Sequence, residues 1–147
     1  MNESDDVGIT VNATPVRVKA KLLISHDDLE PTEITSLLSL QPTNSHKKGE
    51  IKPPNKVPKK TGFWSLTVES AVRSNDISPA IDLLLDQIAN RHSLLRELRD
   101  RGYRVQINCR FGIKHWNTMC ELKPETMRRL ANLSLPLGLD VYDEQEQ

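Results

Sequence analysis

Beside its carboxylates, the chain has four histidines and two cysteines that could bind a metal or act as a nucleophile: His26, His46, His92, His115, Cys109 and Cys120. Their spacing argues against both roles. Metal ligands must converge, yet no two histidines stand at i, i+3 or i, i+4 and there is no C-x-x-C. The nearest approach is His26-Asp27-Asp28, and an acid-rich stretch between a strand and a helix reads as a turn. Cys109 and Cys120 both fall on a predicted apolar face, where thiols are inert packing. A G-x-S-x-G elbow, a P-loop and a G-x-G-x-x-G are all missing from the sequence. No catalytic residue, metal ligand or cofactor is therefore assigned, and the chain is read as non-enzymatic.

Charge is the second kind of chemistry available. "SHKKGEIKPPNKVPKKTGFW" (45–64) carries six lysines against Glu50, a local charge of about +5 by counting. Prolines and scattered lysines make its middle a spacer, and arginine, the better shaped anion ligand, is missing from it. Its start, His46-Lys47-Lys48-Gly49, is the part to examine for a site. Its end, Gly62-Phe63-Trp64, belongs to the fold. A second basic group comes from strands: Arg17, Lys19, Lys21 and Arg110 share a predicted wet sheet face with Ser65, Thr67, Gln106 and Asn108. Sheet faces that read RNA add stacking aromatics, and only Phe63 qualifies from this reading. Trp116 falls in a predicted turn and is the best candidate for an exposed contact residue. The candidate binding residues are thus His46, Lys47, Lys48, Arg110 and Trp116.

These residues must be positioned by a small number of elements. "VRVKAKLLIS" alternates, with Val16, Val18, Ala20, Leu22 and Ile24 on one face, and reads as a half-buried strand. "LEPTEITSLLSLQP" reads as a helix entered at Pro31, with Leu29 and Ile34 as a staple, and stopped by Pro42. "FWSLTVES" is a strand with Trp64, Leu66 and Val68 inward. "SPAIDLLLDQIANRHSLLRELRDRG" reads as one long helix capped by Ser78 and ended by Gly102, with Ile81, Leu84, Leu85, Ile88, Leu95 and Leu98 as its apolar stripe. His92 lies beside that stripe as a core-edge residue. "YRVQINCRFGI" is a strand with Val105, Ile107, Cys109, Phe111 and Ile113 inward, and "TMCEL" is expected to pair back on it as a hairpin. "LKPETMRRLANLSLP" is the last helix and "LGLDVYD" the last strand. Both short helices begin L-x-P-x-x-[IM]-x-x-L, which is read as shared entry grammar rather than duplication.

The strands alternate, so one sheet face is wet. This predicts an α+β two-layer sandwich, a mainly antiparallel sheet of about five strands with helices on one face, with a ferredoxin-like relative as the first topological guess. The domain is set at 15–143, between acidic tails at 1–14 and 144–147. The order of "HDDLEPTEITSLLSLQPT", "HKKGE", "TGFWSL" and "CELKPETMRRLANLSLPLGLDVY" resembles a bacterial domain-of-unknown-function family, the one numbered 4279. In that family an Asp often precedes the first helix proline, where this chain has Glu30. The resemblance implies a fold and brings no activity with it.

Twenty basic residues balance twenty acidic ones, which excludes a dedicated nucleic-acid or membrane-surface protein. No apolar run approaches a membrane span and the start lacks a signal-peptide pattern, so the expected address is the cytoplasm. The expected function is a small cytoplasmic binding or interaction protein with a protein partner, an immunity-type antagonist being one form. The second reading is a domain that binds or acts on a phosphorylated small molecule or nucleic acid through its basic loop and sheet face.

Overall fold

The computed structural model describes residues 15–71 and 74–144. Five strands, β1 (Val16–His26), β2 (Asn44–His46), β3 (Gly62–Ser70), β4 (Arg104–Ile113) and β5 (Leu137–Asp143), form one sheet in the order β2-β3-β1-β4-β5. Helices α1 (Pro31–Leu38), α2 (Ser78–Ile88), α3 (His92–Asp100) and α4 (Pro124–Leu133) complete the fold. The sheet is mixed: β5 lies parallel to β4 and the other pairings are antiparallel. The class is α+β, as expected. β3 and β4 flank antiparallel β1, a split β-α-β of the ferredoxin-like kind. The rest differs, because β1 and β3 pair directly across α1 and β4-α4-β5 is an adjacent parallel unit. Both expected tails lie largely outside the described residues. Glu144, grouped with the second tail, is described and pairs with Arg17.

Alternation decides which way the sheet faces. Val18, Ala20, Leu22 and Ile24 of β1 are buried, with Trp64, Leu66 and Val68 of β3 and Val105, Ile107, Cys109 and Phe111 of β4. Against them pack Leu29, Ile34 and Leu38 around α1, the predicted stripe of α2 and α3, and Leu130 of α4. Leu29 before Pro31 meets the core together with Ile34, as a staple would. α1 and α4 both end on a serine with positive φ, Ser39 and Ser134, whose N–H groups bond back to Thr35 and Ala131.

Three local expectations are corrected. The long helix breaks into α2, a 3₁₀ turn at Ala89–Arg91 and α3. The break lets the Arg91 guanidinium reach the carbonyls of Leu38 (2.8 Å) and Gln87 (3.2 Å), acceptors near the ends of α1 and α2. Ser78 is the first helical residue rather than the cap. Its N–H donates to Asp76 Oδ1 (2.9 Å), and its hydroxyl accepts from the N–H of Lys123 (2.8 Å) at the entry to α4. Residues 118–122 form no hairpin. Glu121 is instead clamped to the α2 entry by bonds with Asn75 and Ile77, and the edge of β4 is taken by the seven-residue ladder of β5. Cys109 and Cys120 are both free thiols.

Asp76 therefore ties two helix starts together. Burial pushes its carboxyl up, but the Ser78 bonds and the Lys123 ammonium (3.4 Å) outweigh this and hold it below its ordinary 3.8. A depressed folded value means the contribution is whole above 3.8 and fades as pH falls through the folded value. Asp76→Ala is expected to cost about 1–2 kcal/mol at neutral pH, as loss of a helix cap does. In acid-unfolding curves the deficit should shrink as pH falls through that range, and a constant deficit would refute the assignment. Among the described residues, no helix is long and apolar enough to cross a membrane.

Candidate functional site

The face of the sheet away from the helices is open, and the register arranges its side chains in rows. Thr67, Lys21 and Asn108 stand side by side on β3, β1 and β4. One row further along stand Glu69, Lys19, Arg110 and Asp140. Beyond it, β1 carries a bulge between Val16 and Lys19, with Arg17 at φ 53°. A bulge re-aims its side chain and twists the strand. Here it leaves the Arg17 guanidinium 3.7 Å from Glu144 and on the rim of the same concavity.

That concavity has a volume of about 370 Å³. Its walls are Arg17, Lys19, Lys21 and Arg110, with Thr43, Thr67, Asn108, Asp140 and Tyr142. Arg110 is held by Asp140 (3.7 Å) and lies over the Tyr142 ring, 4.6 Å from its centroid. Gly112 makes that geometry possible, since a Cβ there would stand 2.8 Å from the Tyr142 ring. Lys19 and Lys21 have no ion pair among the described residues. Two held arginines and two unpaired lysines thus face one hollow.

The predicted wet face is largely observed: Arg17, Lys19, Lys21, Thr67, Asn108 and Arg110 all line this concavity. Ser65 lies on the same face but is buried, because Asn44 of β2 pairs beside it and its own carbonyl accepts from Thr43. Gln106 lines an adjoining hollow with Phe63. Tyr142 and Asp140 were not placed by sequence reasoning. The alternation of "LGLDVYD" is the signal that could have found them, once β5 is known to join β4.

The other candidate residues lie elsewhere. His46 stands at the far end, its ring stacked on Phe63 with centroids 5.3 Å apart. Its Nδ1 is buried and unbonded, and burial, with Lys59 and Lys52 nearby, pushes its pKa below the ordinary value. The basic loop is folded back on the domain. Lys47 pairs with Glu30 (3.3 Å), Lys48 with Asp27 (3.2 Å), and the Lys52 ammonium bonds Asn44 Oδ1 and the Ser45 carbonyl. The Thr61 side chain and Lys48 hold Asp27 below its ordinary value. The start of the loop therefore spends its charge on the β1–α1 turn. His46, Lys48 and Arg110 do not converge: His46 shares a row with Arg104 through Phe63 and Ser25, six residues of strand from Arg110. Trp116 is 92% exposed at the opposite end, beyond β4.

His26, His92 and Cys109 are taken up by local contacts or by the core. His26 accepts from the Asp28 N–H (3.0 Å) and stacks on Tyr103 at 4.4 Å, so it shapes the turn. His92 contacts Arg96 at 3.0 Å. Burial, with Cys120 nearby, pushes the Cys109 thiol up to about 12, where it is protonated and inert. Among the described residues, no group of three His, Cys, Asp or Glu could hold a metal ion.

Residues 16–144 match the family described as "Domain of unknown function (DUF4279)". No curated protein and no solved structure matches the chain.

Proposed function

The chain belongs to the DUF4279 family, and from that premise we propose that it is a binding protein, acting without catalysis, whose working surface is the open face of its sheet and whose ligand is anionic. One observation carries the reading: Lys19 and Lys21, with no ion pair among the described residues, stand with Arg17 and Arg110 around a concavity of about 370 Å³ in which Asp140 is the one acidic lining residue. Like charges crowded on one hollow repel each other, and an anion relieves that repulsion while replacing their water. A cytoplasmic address fits two free cysteines. An acidic protein surface, as an immunity-type antagonist would cover, and a phosphorylated ligand share this chemistry.

The test uses two probes, tripolyphosphate and poly-glutamate, read by thermal shift and calorimetry. The wild type is expected to bind at least one of them, with a melting point that rises with ligand and affinity that falls with salt. Lys19→Glu/Lys21→Glu should abolish binding, while Lys56→Glu/Lys60→Glu in the loop should leave most of it. Loss in the loop variant with retention in the sheet variant would move the site to the loop. Binding of neither probe would end the reading. A clear preference for poly-glutamate selects a protein partner, and for tripolyphosphate a phosphorylated ligand.

A further inference from the structure

We infer that the open face takes a nucleotide, with its phosphates at Lys19 and Lys21 and its base against Phe63. The inference rests on the anion-binding reading above and gives it a ligand class. A second hollow of about 260 Å³ adjoins the first and shares Asn108 with it. Its walls are Leu23, Ser25, Phe63, Arg104, Gln106 and Asn108, so the far end adds an aromatic ring and an aliphatic side chain, beside one arginine, to the lysine-lined first hollow.

The spacing matches such a ligand. Lys21 and Ser25 lie four residues apart on β1, and Ser25 stands opposite Phe63. At a strand rise of about 3.4 Å per residue this is about 14 Å, on the order of the reach from a nucleobase to the terminal phosphates of an extended triphosphate. His46 stacks on Phe63 at an interplanar angle of 19° and fixes the ring plane, and the ring also lines the second hollow. Aromatic faces of this kind take any base by stacking.

The middle of the groove offers donors. Arg104 Nε donates to Gln106 Oε1 (3.1 Å), and Gln106 Nε2 donates to Asn108 Oδ1. That chain occupies the Asn108 oxygen and leaves its NH₂ group as the donor where the two hollows meet. A sugar hydroxyl or inner phosphate oxygen is the acceptor such a group suits.

A nucleic-acid strand fits less well. It carries a phosphate at every nucleotide and needs cations along the whole track. The row between the two ends, Ser65, Leu23 and Gln106, carries none, and the row beyond it offers Arg104 as its one lysine or arginine. An acidic peptide would use the lysines but leave Phe63 idle.

The experiment is calorimetry in magnesium-free buffer with ATP, GTP, UTP, tripolyphosphate and a ten-nucleotide single strand. At least one nucleotide is expected to bind about tenfold or more tighter than tripolyphosphate. Phe63→Leu should erase that advantage without changing tripolyphosphate binding. Ser25→Glu, which fills the second hollow and leaves Phe63 in place, should do the same and stands in if the Phe63 variant melts early. Lys19→Ala/Lys21→Ala should remove both ligands. Nucleotide binding no tighter than tripolyphosphate, or an advantage that survives both hollow variants, overturns the inference while leaving the anion site standing. Preference for the oligonucleotide over every mononucleotide also overturns it. If tripolyphosphate and all nucleotides fail to bind, the nucleotide inference falls, and the anion site falls with it when poly-glutamate fails as well.

Discussion

Trp64→Ala is expected to lower the free energy of unfolding by about 3–5 kcal/mol, the range for deleting a large buried aromatic. The indole is fully buried in the centre of the core. Its Nε1–H donates to Thr35 Oγ1 at 3.1 Å, which ties β3 to α1. Alanine would leave a cavity beneath α1 and strip Thr35 of its partner. Denaturant titration is the measurement: the midpoint should fall with the slope unchanged. Trp64→Phe keeps most of the packing and loses the hydrogen bond, so its cost should be nearer the smaller figure. A loss under about 1 kcal/mol for the alanine variant would mean that the site collapses and that Trp64 is not the anchor described.

Two residues earlier, Gly62→Ala is expected to cost about 2–3 kcal/mol through overpacking. Gly62 pairs with His26, and the β1–α1 turn closes over it. A Cβ there would stand 2.6 Å from the His26 carbonyl oxygen and 2.8 Å from Leu29 Cβ. Neither atom can swing away, because one is backbone in the sheet and the other belongs to a buried residue. Gly49→Ala provides the contrast. Gly49 sits at φ +87° with nothing within 4 Å of an added Cβ, so only conformational strain of about 1 kcal/mol is expected. Thermal melts of the two variants decide it: a Gly49 variant as unstable as the Gly62 variant would remove the steric account.

Both predictions concern the stretch between the basic loop and β3, and they separate its roles. Trp64 and Gly62 hold the fold. Lys47 and Lys48 dock the loop on Asp27 and Glu30. On the sheet, Lys19 and Lys21 meet Arg17 and Arg110 around one hollow.

Much of this was readable along the chain, because alternation is a local property. A side chain two residues from a buried valine faces the same way, so "VRVKAKLLIS" puts Lys19 and Lys21 on the wet face before any strand is paired. The stripe of α2 and α3, the staple at Leu29 and Ile34 and the inward Trp64 follow from equally short patterns. Where local patterns competed with partners far along the chain, they lost. "TMCEL" has strand-like residues, yet Glu121 is held by Asn75 and Ile77, and β5 takes the edge it was expected to fill. Ser78 is a good cap by type, yet Asp76 does that work while the serine hydroxyl serves Lys123.

The candidate site divides along the same line. Residue types, strand faces and the basic character of Arg17, Lys19, Lys21 and Arg110 were fixed by covalent order and a two-residue period. Tertiary structure alone decided that Tyr142 and Asp140 join them through a parallel β5, and that a bulge turns Arg17 onto the rim. It also decided that Lys47 and Lys48 at the start of the loop are paired, while Lys19 and Lys21 of the sheet have no ion pair among the described residues. The reason is physical: facing depends on neighbours in sequence, whereas charge pairing and concavity depend on distances between segments as far apart in sequence as Arg17 and Glu144, which close only when the sheet's order and register are set.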